Sequence, residues 1–183
     1  MRVFIGIDLP ENIKENLKGI IERVKKIREA KPVKLENLHI TLKFLGEVEE
    51  KKVNIIQGKI EKFVKEIESF EVEVKGVGVF PSEKKPRVLW VGVEDKENLK
   101  KLNNRIEETL SEFGFEKEKD FVSHITVSRF RSTPNKSFIE EILGKFKDAV
   151  FGKFKITDFC FYESNLTPEG PIYKIIGKIN LRR

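Results

Sequence analysis

Both histidines of this 183-residue chain stand in the same four-residue setting, His39-Ile40-Thr41-Leu42 and His124-Ile125-Thr126-Val127. With 20 Ile and 6 Thr in the chain, the chance that both histidines precede Ile-Thr is on the order of 10⁻⁵, which sets aside the usual false positives of short motifs. Successive side chains of a strand alternate faces, so His and Thr share one face while Ile and the following Leu or Val share the other. One face is then free for chemistry and the other anchors the strand. By strict alternation Leu38, Ile40, Leu42 and Phe44 form the apolar set of the first copy, and His39, Thr41 and Lys43 the polar set. A lone strand histidine is usually an ordinary half-buried residue; two identical settings argue for function.

Two imidazoles with ordinary pKa values near 6.5 supply a base and an acid at near-neutral pH, each role worth about 10² to 10⁴ in rate. Threonine hydroxyls beside them suit the non-bridging oxygens of a phosphate as charge develops there. In-line displacement at phosphorus requires this set: proton carriers on both sides, donors between. Metal chemistry is the rival, yet two histidines without a third His or a Cys at ligand spacing make a poor zinc set. No Walker-type phosphate loop is present, and Gly76, Gly78 and Gly92 read as strand or bulge glycines. Ser123 points away from the face of its neighbour His124, which disfavours a nucleophile-base pair. Cys160, the sole cysteine, lies between Phe159 and Phe161 in an apolar run and reads as core.

The elements that must position these residues follow from periodicity. Residues 2–8 read as a buried strand, after which Ile13, Leu17, Ile20, Ile21, Val24 and Ile27 recur at helical spacing behind Pro10. The His39 strand ends at Gly46, and Val53, Ile56, Ile60, Phe63, Val64 and Ile67 mark a second helix. Residues 70–80 alternate as a strand with one solvated face, and Pro81 to Pro86 is a basic, turn-rich break. The pattern then restarts: a strand at 87–93, a helix through Leu99, Leu102, Ile106, Leu110 and Phe113 capped by Gly114, the His124 strand, and a short helix through Ile139, Ile142, Leu143 and Phe146. One strand at 151–162 and a last one at 173–181 complete the chain.

Arg2-Val3 and Arg87-Val88 open the two halves, and each histidine follows its own Arg by 37 residues. Glu15-Asn16-Leu17-Lys18 and Glu97-Asn98-Leu99-Lys100 also match, which points to internal duplication. The chain is therefore expected to form a single bilobal domain over 1–183, with lobe-forming halves at about 1–81 and 86–183. A pseudo-twofold axis between them would set one histidine from each lobe across a shared cleft.

Charged residues are 36% of the chain, with net charge +6 and pI near 9.2, which allows an anionic partner such as RNA although most charges belong to a solvated Lys-Glu surface. Abundant Lys and Glu with one Gln, one Met and one Cys is the pattern of heat-adapted proteins. No long apolar segment or basic leader appears, so a cytoplasmic protein away from membranes is expected, and a monomer.

The paired motifs are similar to those of the 2H phosphoesterase superfamily, and within it the chain resembles the RNA 2',3'-cyclic phosphodiesterase family, also called 2'-5' RNA ligase. Phe44-Leu45-Gly46, Pro86-Arg87-Val88-Leu89-Trp90, and Ser164, Leu166, Pro168, Gly170, Pro171 and Tyr173 extend the resemblance nearly end to end. It implies an α+β protein of two pseudo-twofold-related lobes, each an antiparallel sheet with two helices, with the active site in the cleft between them and no metal or other cofactor required. It further implies His39 as proton donor and His124 as proton acceptor, assisted by Thr41 and Thr126, acting on RNA with a 2',3'-cyclic phosphate end, tRNA halves among the candidates. Where the family often carries Pro before its second motif, this chain has Ser123. Arg129 matches a position that faces the phosphate in relatives; alternation from His124 puts it on the wrong face, so a bulge is required, and a surface ion-pair residue is the alternative. Lys43 is placed to contact RNA backbone, with a solvated lysine as the alternative, and Phe80 and Tyr173 are candidates to stack a base. Two other readings stay open: a small cyclic phosphodiester such as ADP-ribose cyclic phosphate as substrate, or a non-catalytic RNA-binding module.

Overall fold

The computed structural model describes residues 1–183. In chain order the elements are β1 (Arg2–Asp8), α1 (Glu11–Val24), β2 (Ala30–Pro32), a 3-10 turn (Leu35–Asn37), β3 (His39–Glu47), α2 (Glu50–Val64), β4 (Phe70–Phe80), β5 (Val88–Glu94), α3 (Asn98–Ser111), β6 (His124–Phe130), α4 (Lys136–Phe146), β7 (Val150–Ile156), β8 (Asp158–Thr167) and β9 (Gly170–Asn180). The helices form where apolar residues recur on one side: Ile13, Leu17, Ile20, Ile21 and Val24 of α1 are all buried, as are Leu99, Leu102, Ile106 and Leu110 of α3. Gly114, at φ +87°, closes α3, with Phe115 N–H donating back to Leu110 O at 3.3 Å.

All strands belong to one antiparallel sheet in the order β7-β4-β5-β6-β3-β1-β8-β9, with β2 added alongside β6. The central join between β6 and β3 is the single rung Ile40↔Ile125. On either side of it lie four strands in matching succession, β6-β5-β4-β7 and β3-β1-β8-β9.

These sheet halves differ from the chain halves. β4, from the first half, pairs with β5 and β7, while β8 and β9, from the second, complete the sheet around β1. The helices cross over too: α1 packs on β6 and β7, and α3 on β3. Division at 81–86 therefore separates the chain halves but not the two packed bodies, which exchange strands and helices across the axis. The apolar run expected as one strand at 151–162 is broken at Thr157, whose carbonyl accepts Leu181 N–H at 2.9 Å. β7 ends up at the outer edge of one sheet half and β8 inside the other; in the sequence only the polar pair Thr157-Asp158, between Ile156 and Phe159, marks the break. β2 is too short, at three residues including Pro32, to carry a strand pattern.

Candidate active site

The rung Ile40↔Ile125 brings the two motifs side by side. Both isoleucines are fully buried beneath the sheet, so alternation turns His39, Thr41, His124 and Thr126 to the opposite, open face. The antiparallel register sets His39 beside Thr126 and Thr41 beside His124.

The two imidazoles are held alike. His39 Nδ1 lies 2.6 Å from Asn37 O, and His124 Nδ1 lies 2.7 Å from Val122 O. A carbonyl only accepts, so each Nδ1 carries the hydrogen and each Nε2 is the free, basic nitrogen. Thr41 Oγ1 stands 2.9 Å from His39 Nε2 and donates to it in that tautomer. Aromatic rings flank both imidazoles, centroid to centroid: Phe4 tilted at 4.9 Å and Tyr173 edge-on at 5.4 Å from His39, Phe80 edge-on at 5.2 Å and Trp90 tilted at 6.3 Å from His124. Asn37 is buried, and its side chain donates to Pro171 O at 2.9 Å, tying the turn before β3 to the β8–β9 hairpin that carries Tyr173.

Both imidazoles titrate below the ordinary 6.5. For His39 burial is the largest cause, opposed by the Asn37 carbonyl and Asp8 and assisted by the charges of His124 and Arg129. For His124 burial again leads, opposed by the Val122 carbonyl and assisted by Arg129. Burial pushes the Tyr173 phenol up, and Arg129 and Arg2 oppose that shift. One guanidinium thus acts on both histidines and on Tyr173.

Arg129 reaches the open face through a bulge. On β6 the partners jump from Leu89↔Ser128 to Trp90↔Thr126, leaving Val127 without a partner on β5. Val127 and Ser128 both point into the core, and Arg129 returns to the open face. β3 carries the same device: Ile5↔Lys43 is followed by Gly6↔Thr41, and Leu42 is the extra residue. The face assignment of Lys43 and Phe44 by strict alternation is therefore corrected. Lys43 is only 5% exposed on the core side, 3.0 Å from Glu107 Oε1, and donates to Glu116 O at 2.7 Å. It is not a contact for RNA. Phe44 is 59% exposed and rests against Phe4, with centroids 5.9 Å apart. Residues five beyond each histidine, Phe44 and Arg129, thus occupy matching places on the open face.

Sequence reasoning passed over Phe4, Asn37 and the place of Trp90 beside His124. Phe4 sits in a run that reads as wholly buried, while Asn37 acts through its carbonyl, which no residue type announces. Cys160 is buried beside Phe4 and Tyr162, its thiol pushed up chiefly by burial. No group of three or more His, Cys, Asp or Glu is arranged to hold a metal ion.

The LigT-like phosphoesterase model matches the chain twice, at residues 7–90 and 91–173. The chain belongs to this family. Among curated LigT-like relatives, the RNA 2',3'-cyclic phosphodiesterase of Methanocaldococcus jannaschii is 40% identical over 176 residues, 96% of this chain and 98% of its own. That of Thermotoga maritima is 41% identical over 179 residues, 96% and 93% of the two chains. A solved protein of Thermus thermophilus superposes with TM-score 0.85 at 28% identity, covering 100% of this chain and 98% of its own. E. coli LigT crystallised with 3'-AMP shares the fold, with TM-score 0.76 at 23% identity and coverage of 100% and 98%.

Proposed function

We propose that this LigT-like enzyme hydrolyses the 2',3'-cyclic phosphate at an RNA end to a 2'-phosphate. The observation that carries the reading is the pair of motif histidines on one open face, each held through Nδ1 by the carbonyl two residues before it so that Nε2 is the unprotonated, basic nitrogen. Relatives about 40% identical over nearly the whole chain carry the name of this activity.

His124 Nε2 takes a proton from water as its oxygen bonds to phosphorus. The bond from phosphorus to the 3' oxygen breaks, and that oxygen receives the proton on His39 Nε2. The Thr41 and Thr126 hydroxyls and the Arg129 guanidinium stabilise the non-bridging oxygens as charge grows on them. Phe44 and Tyr173 offer apolar surface to the terminal nucleoside. Burial and Arg129 keep both imidazoles neutral in the free site; the phosphodiester anion offsets both effects and lets His39 enter the reaction protonated. With an RNA 5'-hydroxyl in place of water, the same displacement, in which the bond from phosphorus to the 3' oxygen breaks, would yield a 2'-5' linkage.

Incubation with an oligonucleotide ending in 2',3'-cyclic phosphate, with EDTA present, tests the proposal through the position of the product phosphate. A 2'-phosphate is expected. A 3'-phosphate, or no turnover, would overturn it.

A further inference from the structure

The open face carries more positive charge than a cyclic phosphate requires. That group bears one negative charge, and Arg129 with the proton on His39 already exceeds it. A third cation stands next to them. In the pairing of β2 with β6, Lys31 lies directly opposite Arg129, and directly opposed residues of an antiparallel pair project from the same face.

Burial fixes which face this is. The neighbouring rung, Ala30 opposite Phe130, points into the core, with both residues 6% exposed or less, whereas Lys31 and Arg129 are both exposed. Nor is Lys31 on a wandering loop. Hydrogen bonds from Val33 N–H to Val127 O at 2.9 Å and from Arg131 N–H to Glu29 O at 2.8 Å pin β2 to β6 at both ends.

Like charges directly opposite each other cost stability, and neither Lys31 nor Arg129 has an acidic partner within ion-pair distance. The next position outward sets Glu29 across from Arg131 and is balanced in charge. Along β2 and β6 the Lys31–Arg129 rung is the one that sets two like charges directly opposite each other. The equivalent part of the other sheet half is aromatic, with Phe44 on Phe4 and Tyr173 beside them. Both histidines are flanked by aromatic rings, and the side beside His124 adds the Lys31–Arg129 rung to Phe80 and Trp90.

We propose that Lys31, with the outer edge of the Arg129 guanidinium, forms a subsite for the backbone phosphate one nucleotide upstream of the cyclic end, so that the enzyme selects an RNA chain over a free nucleotide. This rests on the cyclic phosphodiesterase reading and specifies its substrate. Arg129 suits a position between two phosphates because its planar fork presents donors along two edges, while Lys31 serves as a point charge on a flexible stem. The upstream strand then leaves over β2, and the terminal nucleoside lies toward Phe44 and Tyr173.

The test compares kcat/KM on a nucleoside 2',3'-cyclic phosphate, a dinucleotide with the same cyclic end, and a longer oligomer, for wild type, Lys31→Gln and Lys31→Arg. In wild type, kcat/KM rises at the first added phosphate. Lys31→Gln lowers the dinucleotide-to-mononucleotide ratio about 10-fold, chiefly through KM, and Lys31→Arg restores most of it. For the oligomer, the slope of log affinity against log salt falls by about 0.7 in Lys31→Gln, as expected for one lost single-strand phosphate contact. A wild type indifferent to the added phosphate, or a Lys31→Gln variant with the wild-type ratio, would overturn the subsite and leave the reaction standing. Absence of turnover on all three substrates would overturn the reaction and the subsite together.

Discussion

At the scale of single residues the active face is a matter of proton placement. If His39 and His124 act as acid and base in one displacement, replacing either by Ala lowers turnover at least about 10²-fold, and the double variant loses less than the product of the two. Thr41→Ala and Thr126→Ala are expected to lose about 10-fold to 10³-fold, the range for one donor to a developing oxyanion. A single histidine variant with near wild-type turnover removes that residue from the mechanism. Because burial holds both free imidazoles below 6.5, the bell of kcat/KM should peak on the acid side of that value, with limbs belonging to the pair. The kcat bell, which reports the complex, should lie at higher pH because bound phosphate favours the imidazolium. A kcat/KM maximum on the alkaline side of 6.5 contradicts this. Stability carries the same signature with a definite sign. Above 6.5 both imidazoles are neutral whether folded or unfolded and contribute nothing to the slope. As pH falls below 6.5 the unfolded chain takes protons that the folded site resists, so stability drops until the lowered folded values are passed. Urea unfolding at about pH 7.5 and about pH 5.5 should show this loss, and a His39→Gln/His124→Gln variant should show less of it.

At the scale of elements, paired bulges do the sorting. One extra residue in β3 and one in β6 move Phe44 and Arg129 to the open face and send Lys43 and Ser128 inward. An ammonium in that position needs partners, and Lys43 has them: Nζ lies 3.0 Å from Glu107 Oε1 and donates to Oε2 at 3.2 Å and to Glu116 O at 2.7 Å. Glu107 Oε2 also accepts Glu118 N–H at 2.9 Å, and Asn103 Nδ2 donates to Leu42 O at 2.8 Å. This network fastens the β3 bulge to α3 and to the loop leading toward His124. Lys43→Met strands a buried carboxylate and should cost about 3–5 kcal/mol. Adding Glu107→Gln removes that charge while keeping an oxygen for Glu118 N–H, and should return at least half of the loss in urea unfolding. A Lys43→Met variant as stable as wild type would show that the pair is not needed to hold the bulge.

At the scale of the molecule, exchange of strands and helices makes each sheet half depend on both halves of the sequence. β4 without β5 lacks its neighbour, α1 without β6 and β7 lacks its sheet, and one core of 41 buried residues runs through both bodies. A fragment ending near residue 83 should show no cooperative unfolding alone, and neither should its complement. Mixed or co-expressed, they should recover a cooperative transition, whereas an independently folding fragment of either half would refute the dependence. The intact chain should unfold in one step by circular dichroism and tryptophan fluorescence, Trp90 being its only tryptophan.

The bulge that brings Arg129 round was required only by the resemblance to the family, whereas composition and spacing alone determined the types of the main elements and the pairing of the two motifs. Those features are local: period 3.6 or 2 follows from which side of an element is buried, and a two-residue His-Thr spacing puts both side chains on one face of any strand. Tertiary structure decided the rest. It turned Lys43 into the core and Phe44 out, because one inserted residue inverts every face assignment after it and a bulge leaves no mark on the alternation it interrupts. Likewise, it divided the run 151–162 between opposite sheet halves at Thr157 and set Lys31 against Arg129. These placements depend on which strands pair across long separations, and that choice rests on the packing of the whole sheet against four helices.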